Sequence, residues 1–231
     1  MTTQADTLAN LSPSTPLIAD ADTGYGGPIA VARTVSAYAR AGVAALHLED
    51  QVQEKRCGHL GGKQVVARET FWARIRAAAN AREELGSEIL IVARTDARQG
   101  LGFEEAVTRL RGAVEVGADV VFPEAMASRE EAAEMVRRMG ETPCLLNLVE
   151  GGVTPEVTVE EAREMGFRIV IFPVTAFEGA IVGIRDVLRK LKREGKMPAT
   201  GVGVKDAFDL CGLQECVELD KKAGGKAYSN V

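Results

Sequence analysis

The sequence predicts an α/β fold: a parallel sheet of the (β/α)8 TIM-barrel type wrapped by helices, with about six βα units present and extra helices at the C-terminal end. Three observations carry that prediction. The short apolar runs are continuous rather than alternating, as strands buried on both faces require. Each run is followed by a polar loop, an amphipathic helix and a closing glycine, so strands and helices alternate along the chain. Polar and charged residues gather just after the runs, at Asp20, Asp22, Glu49, Asp50, Arg94, Asp96, Glu124 and Asn147, where a barrel places its working groups. A doubly wound open sheet is the rival. Its first strand is normally followed by a glycine-rich phosphate loop, whereas here two acids, Asp20 and Asp22, precede Gly24, Gly26 and Gly27 and would repel a pyrophosphate.

Residues 1–15 form an N-terminal arm of Thr, Ser, Asn and Ala, either a short helix or a loose segment. Residues 16–195 make the barrel domain and 196–231 a helical extension. Residues 16–19 read as the first buried strand. Pro28 suits the first turn of a helix, which carries Ile29, Val31, Ala32, Val35 and Tyr38 and closes at Gly42. Further strands fall at 43–48, 89–93, 119–122, 143–146 and 168–172. The helix at 69–85 turns Trp72, Ile75 and Ala79 inward, and another spans 103–116. Ser128 with Glu131, and Thr158 with Glu161, read as capping boxes opening helices that close at Gly140 and Gly166. A long helix covers 177–193. After Gly195 and Pro198 a further helix covers 204–222, followed by a glycine-rich tail.

Bulk properties narrow the function. The 231 residues can bury a sizeable core, and 46% hydrophobic with 26% charged residues is the balance of a folded domain. A net charge of −5 without a basic block argues against nucleic-acid binding. No apolar run approaches the roughly 18 residues of a membrane span, and the first 16 residues lack the pattern of a signal peptide. Four cysteines without a CxxC pair fit a reducing compartment. The expectation is cytoplasmic; a mitochondrial location stays open, since a chain without its native start would also lack its leader.

Four or five carboxylates at one barrel mouth repel each other unless a cation neutralises them, and hard oxygen donors favour Mg²⁺ or Mn²⁺. Helix caps and loop salt bridges are the plainer explanation. Arg94 closes its strand and is placed either to grip a carboxylate or phosphate or to pair with Asp96 or Glu124. Asn147 is placed to donate to a substrate oxygen. Cys57 has Lys55, Arg56 and His59 within two residues. Neighbouring cations lower a thiol's pKa and make it a competent proton donor, and Gly58, Gly61 and Gly62 give the mobility a closing loop needs. A surface turn with an incidental cysteine is the alternative. Cys144 reads as a packed core thiol, and Cys211 and Cys216 as packing on the apolar face of the C-terminal helix. His47 reads as a core histidine with a supporting role beside Glu49 left open.

Taken in order, DADTGYGG (20–27), HLED (47–50), KRCGH (55–59) with Gly61-Gly62-Lys63 downstream, ARTDA (93–97) and FPEA (122–125) resemble the isocitrate lyase and phosphoenolpyruvate mutase superfamily over residues 16 to about 195. The resemblance implies a (β/α)8 barrel with Mg²⁺ at its mouth, a homo-oligomer (dimer or tetramer) in which paired subunits exchange a helix, and cleavage or formation of C–C or C–P bonds through an enolate of pyruvate or a related acid held at the metal. It places Asp20 and Asp22 on the metal, with Glu49 and Glu124 as acids that hold the ion through water. It makes Arg94 the grip on the substrate and Asn147 a contact to its carboxylate, with Gly58 and His59 substrate contacts in the loop of Cys57, the thiol that protonates the departing fragment. The cysteine points to C–C cleavage of the methylisocitrate, dimethylmalate or oxaloacetate type, and residues 198–228 resemble the tails of short fungal-type members. Relatives carry two βα units ahead of the DADTGYGG strand, so the expectation is a barrel lacking its first two units. That leaves two functions: a Mg²⁺-dependent lyase for a small 2-hydroxy- or 2-oxo-dicarboxylate or tricarboxylate, or a catalytically impaired homologue that associates with full-length paralogues.

Overall fold

Six strands form where the continuous apolar runs lie: β1 (Ile18–Asp20), β2 (Ala45–Glu49), β3 (Leu90–Thr95), β4 (Val120–Pro123), β5 (Leu145–Asn147) and β6 (Ile169–Ile171). In this computed structural model, which describes residues 1–12 and 14–226, β1 to β4 pair in sequence order as one parallel sheet. β5 and β6 pair in parallel, and a single parallel bridge between Val121 and Cys144 connects β4 to the start of β5. This is the parallel α/β arrangement that the apolar runs predict.

Side chains alternate between the two faces of a strand, and the register sets what each face carries. Ile18 lies beside Ala45 and Asp20 beside His47; Glu49 lies beside Arg94, and Arg94 beside Phe122. On one face, Ala45, Val92, Val120, Phe122 and Leu145 pack with Ile18, Ile169 and Ile171. The next positions up those strands on that face are Asp20, His47, Glu49, Arg94 and Asn147. A small apolar layer therefore supports the polar rim. The other face packs beneath the helices, with Leu46, Leu48 and Ile91 against Val31, Val35, Tyr38, Phe71 and Ile75, and with Val121 and Leu146 against Leu110, Met135 and Phe167.

The helices of this unit are α1 (Thr2–Leu11), α2 (Pro28–Arg40), α3 (Arg68–Glu84), α4 (Ala97–Leu101), α5 (Phe103–Glu115), α6 (Arg129–Met139) and α7 (Val159–Glu164). The N-terminal arm is a helix that buries Ala5 and Ala9 and donates from Asn10 Nδ2 to the Ala41 carbonyl at 3.3 Å. The short α4 has no signal in the sequence, because five residues are too few to display a period. Ile29 on α2 is exposed, and Val31, Val35 and Tyr38 supply its buried face. In α3, Phe71, Ile75 and Ala78 are buried, while Trp72 and Ala79 are half-buried. The Thr158 capping box forms in full. At Ser128 only half forms: its hydroxyl accepts from Glu131 N, but the Glu131 carboxylate turns to Arg98 at 2.6 and 2.9 Å.

The chain divides into two compact units, Met1–Pro173 and Val174–Val231. The boundary falls ahead of the long helix rather than at residue 195. The second unit contains α8 (Thr175–Glu194), α9 (Val204–Leu210) and α10 (Leu213–Lys222). The single helix expected over 204–222 is broken at Gly212, whose φ of +84° suits glycine and ends the helical run. Cys211 and Cys216 are exposed, not packed on an apolar face, and none of the side chains of α8, α9 or α10 is buried. The resemblance over 198–228 runs into residues 227 and 228, which lie outside the described residues. Among the described residues, no helix is long and apolar enough to cross a membrane.

Candidate active site

The loop after β1 turns back tightly on the strand. Asp22 and Tyr25 adopt left-handed backbone conformations, with φ of 49° and 60°, and Asp22 N donates to Asp20 Oδ1 at 2.7 Å. The Asp20 carbonyl accepts from the Tyr38 hydroxyl at 3.0 Å. These contacts hold Asp20 and Asp22 at the rim beside Glu49, which ends β2. Burial alone would raise the Asp20 pKa; the adjacent His47 ring, with Asp22 N and Lys55, outweighs it and holds Asp20 ionised far below the usual range. His47 Nδ1 lies 3.6 Å from Asp20 Oδ1, and its ring meets Phe122 edge-on at 5.8 Å. The histidine beside Glu49 therefore supports Asp20.

Lys55 converges on the same three acids. Its ammonium pairs with Asp22 and lies 3.4 Å from Glu49 Oε2 and 3.9 Å from Asp20 Oδ2. Glu49 is almost wholly enclosed, and burial pushes its carboxyl up to about 7 against the pull of Arg94 and Lys55. Gln51, also fully buried, donates to Glu49 Oε1 at 3.1 Å and to the Arg56 carbonyl at 2.9 Å, and accepts from Arg56 N at 3.0 Å. Sequence reasoning misses this place for both Lys55 and Gln51. Their signal is position alone, a cation and an amide within six residues of Glu49.

Arg94 forms the centre of the second half of the rim. Its Nε and Nη2 donate to the two oxygens of Asp96 at 2.9 and 3.2 Å. Nη2 lies 3.2 Å from Glu124 Oε2, Nε lies 3.4 Å from Glu49 Oε2, and the guanidinium sits 5.0 Å above the Phe122 ring. The plainer sequence alternative, pairing with Asp96 and Glu124, is thus realised. Nη1 has no hydrogen-bond partner among the described residues. Asn147 Nδ2 donates to Glu124 Oε2 at 3.2 Å, so its amide nitrogen is committed within the chain. Its Oδ1 is buried without a hydrogen-bond partner, leaving an acceptor, not the expected donor, open to a ligand.

The loop of Cys57 lies down on this second half. Gly58 is buried against it: a Cβ there would come 2.5 Å from Arg94 Nη2 and 2.7 Å from Glu124, so only glycine permits the approach. The Gly58 carbonyl accepts from Lys63 Nζ at 2.5 Å, and Lys63 also pairs with Asp96 at 2.8 Å. His59 Nε2 lies 3.6 Å from Glu124 Oε1 and 3.3 Å from Asn147 Nδ2, while its Nδ1 accepts from Val153 N at 3.4 Å. Cys57 itself is exposed. The cations expected to tune it turn away, Lys55 into the acid cluster and Arg56 to the Gly61 carbonyl at 3.4 Å. Cys144 is the core thiol expected, pushed up to about 12 by burial.

Asp50 does not join the rim. It accepts from Thr95 Oγ1 at 2.5 Å, Asp96 N at 2.9 Å and Arg109 Nη1 at 3.1 Å, tying β2 to β3 and α5. Among the described residues, no three His, Cys, Asp or Glu side chains stand ready as a metal cage; Arg94 separates Glu124 from the other acids. The donor set nonetheless fits a hard divalent ion. Asp20, Asp22 and Glu49 offer only carboxylate oxygens, and a cationic group, the Lys55 ammonium, already stands where they converge.

A rim of charged side chains at the C-terminal ends of parallel strands, with a glycine-rich loop folded over it, defines an α/β enzyme of the barrel type. Residues 1–192 match the family described as phosphoenolpyruvate phosphomutase. The chain is 49% identical over 219 residues to a 2-methylisocitrate lyase of Aeropyrum pernix, covering 92% of this chain and 68% of that one. Its structure superposes on a crystal structure of 2,3-dimethylmalate lyase with a TM-score of 0.95 and 51% identity, over 100% of this chain and 77% of that one. It also superposes on oxaloacetate acetylhydrolase in complex with 3,3-difluorooxalacetate with a TM-score of 0.95 and 50% identity, over 99% and 77%. The chain belongs to the phosphoenolpyruvate mutase and isocitrate lyase superfamily.

Proposed function

We propose that this protein is a divalent-cation-dependent carbon–carbon lyase acting on a small 2-hydroxy- or 2-oxo-dicarboxylate or tricarboxylate. One observation carries the reading. At a single rim, three acids converge on a cationic point, beside a buried arginine with a free Nη1, an open Asn147 acceptor and a thiol-bearing loop. The relatives, whose names describe C–C lyases and an acetylhydrolase, support it.

Asp20 and Asp22, with Glu49 and Glu124 behind, would hold Mg²⁺ or Mn²⁺, which would act as a Lewis acid towards the substrate's oxygens. The chain's own groups do the rest. Arg94 places positive charge where a carboxylate binds and where negative charge develops as the C–C bond breaks. Asn147 Oδ1 accepts from a substrate hydroxyl or a bridging water, and Gly58 and His59 close the loop over the ligand. For a 2-hydroxy acid, the hydroxyl proton passes to a rim carboxylate, the adjacent C–C bond breaks and a C=O bond forms on one fragment. The electron pair passes to the carbon beside the carboxylate of the other, and the Cys57 thiol protonates that carbon. Cys57 reaches it after the loop moves, because the thiol is exposed as the loop now lies.

Purified protein with Mg²⁺ and 2-methylisocitrate, 2,3-dimethylmalate or oxaloacetate in turn tests this. Release of a 2-oxo acid or of oxalate, abolished by EDTA and restored by Mg²⁺, is the expected result. Absence of turnover with all three would sink the reading. We further propose that copies associate, since α8 carries Phe177, Val182, Ile184 and Leu188 exposed; light scattering at monomer mass would refute it. The reducing cytoplasm is the proposed location.

A further inference from the structure

We propose that Lys55 is a tethered competitor of the divalent cation: its ammonium fills the Asp20–Asp22–Glu49 cluster when no ion is there, and an incoming ion must expel it. The inference rests on the metal reading of the same rim. Lys55 is the one cation among the described residues that reaches all three acids. It is not a screened surface pair, because Glu49 is 1% exposed and Lys55 28% exposed. An ammonium and a divalent ion cannot share a cluster whose acids all lie within 3.9 Å of the ammonium, since like charges at that distance repel strongly in a partly desolvated site. Occupancy is therefore exclusive, and the two equilibria are linked. The ion's apparent dissociation constant is its intrinsic value divided by the fraction of molecules in which the lysine is out.

The tether gives the exchange a structural consequence. Gln51 joins Glu49 Oε1 to both the N–H and the carbonyl of Arg56, and Cys57 follows directly. Lys55 stands immediately before this clamp, so its departure from the cluster frees its side chain to solvent while Gln51 still holds Arg56. Ion entry thus releases the Lys55 side chain without requiring the Cys57 thiol to move.

The experiment is a Mn²⁺ titration of the full chain, with free ion read by electron paramagnetic resonance, on the wild type, Lys55→Met and Lys55→Arg, with Lys55→Gln as a second neutral variant should Lys55→Met not fold. The neutral variant is expected to bind Mn²⁺ at least tenfold tighter, on the order of 1.4 kcal/mol. Lys55→Arg, which keeps the charge, is expected to stay within about threefold of the wild type, the residue left by Arg's different geometry. Trypsin cleavage of the wild type between Lys55 and Arg56, followed by mass spectrometry, is expected to quicken when Mn²⁺ is added. Equal or weaker binding by the neutral variant, in a protein whose Mn²⁺ binding is weakened in Asp20→Asn, overturns the proposal and leaves the metal reading standing. If neither the wild type nor the neutral variant takes up Mn²⁺, the metal reading falls and this inference with it.

Discussion

Asp20 and Asp22 keep 43% and 34% of their side chains exposed, whereas Asp96 and Glu124, farther along the same rim, are fully enclosed. The first half of the rim is balanced by a flexible lysine, the second by an arginine fixed by three carboxylates and an aromatic ring. On the proposed reading, the difference separates two jobs. A half that exchanges its cation must stay open and tolerate partial charge. A half that positions a substrate must be rigid, and its buried charges are tolerable only because each has a partner. Glu49 belongs to both, touching Lys55 on one side and Arg94 on the other, so the charge state of one half is felt by the other.

The sharpest way to break this contrast is to remove the fixed cation. Arg94→Met leaves Asp96, Glu124 and Glu49 buried without their shared partner, and loss of one member of a buried ion pair costs about 3–5 kcal/mol. Urea unfolding is expected to show a loss of that size together with loss of turnover. A loss under about 1 kcal/mol, the range of exposed pairs, would mean the second half is no more rigid than the first. Cys57→Ser acts oppositely, because the thiol is exposed. Unfolding free energy is expected to stay within about 0.5 kcal/mol of the wild type, while turnover falls by roughly 10²–10⁴ as the proton donor is lost. Full turnover in Cys57→Ser would end the acid role of the thiol.

Asp20→Asn probes the open half directly. Its depressed carboxylate predicts a stability loss of about 1 kcal/mol, the upper range for a partly exposed group, and loss of one charged donor is expected to weaken Mn²⁺ binding by about 10–100-fold. Unchanged Mn²⁺ affinity would move the ion elsewhere.

Much of this fold and rim is legible in the order of residues alone. Continuous apolar runs locate every strand within a few residues, because a strand buried on both faces leaves no room for polar positions. The strand ends then name Asp20, Asp22, Glu49, Arg94, Glu124 and Asn147, because period-two alternation carries a side chain from the apolar layer to the rim in one step. What is not legible is pairing. Asp50 reads as a fifth rim acid, but Arg109, from a helix far along the chain, draws it away. Lys55 reads as a cation for Cys57, but three acids attract it more strongly than a thiol two residues away. Glu131 reads as half of a capping box, but Arg98 claims it. In each case proximity along the chain suggests one partner and the fold supplies a better one. The break at Gly212 escapes for a different reason, since apolar spacing continues across it and only the backbone conformation reveals the end.

A pair outside both halves sets the scale for the whole comparison. Glu105 accepts from Arg68 Nε at 2.9 Å and Arg109 Nε at 2.8 Å, and Arg109 in turn holds Asp50 beneath the rim. The Arg68 hydrogen bond, opposed by burial and reinforced by Arg109, pulls the Glu105 carboxyl down from 4.5 to about 2. A depressed acid stabilises the fold only while ionised, so its contribution is complete above about pH 4.5 and fades as the pH falls through about 2. Glu105→Gln is therefore expected to cost about 1 kcal/mol at pH 7, the upper range for a pair this accessible. The gap to the wild type is expected to narrow steadily between pH 4.5 and pH 3 in urea unfolding. A gap that stays constant over that interval would assign the loss to packing. A gap as large as that of Arg94→Met would show that partnered charge outside the rim is worth as much as charge within it, and the distinction between the fixed half and an ordinary ion pair would disappear.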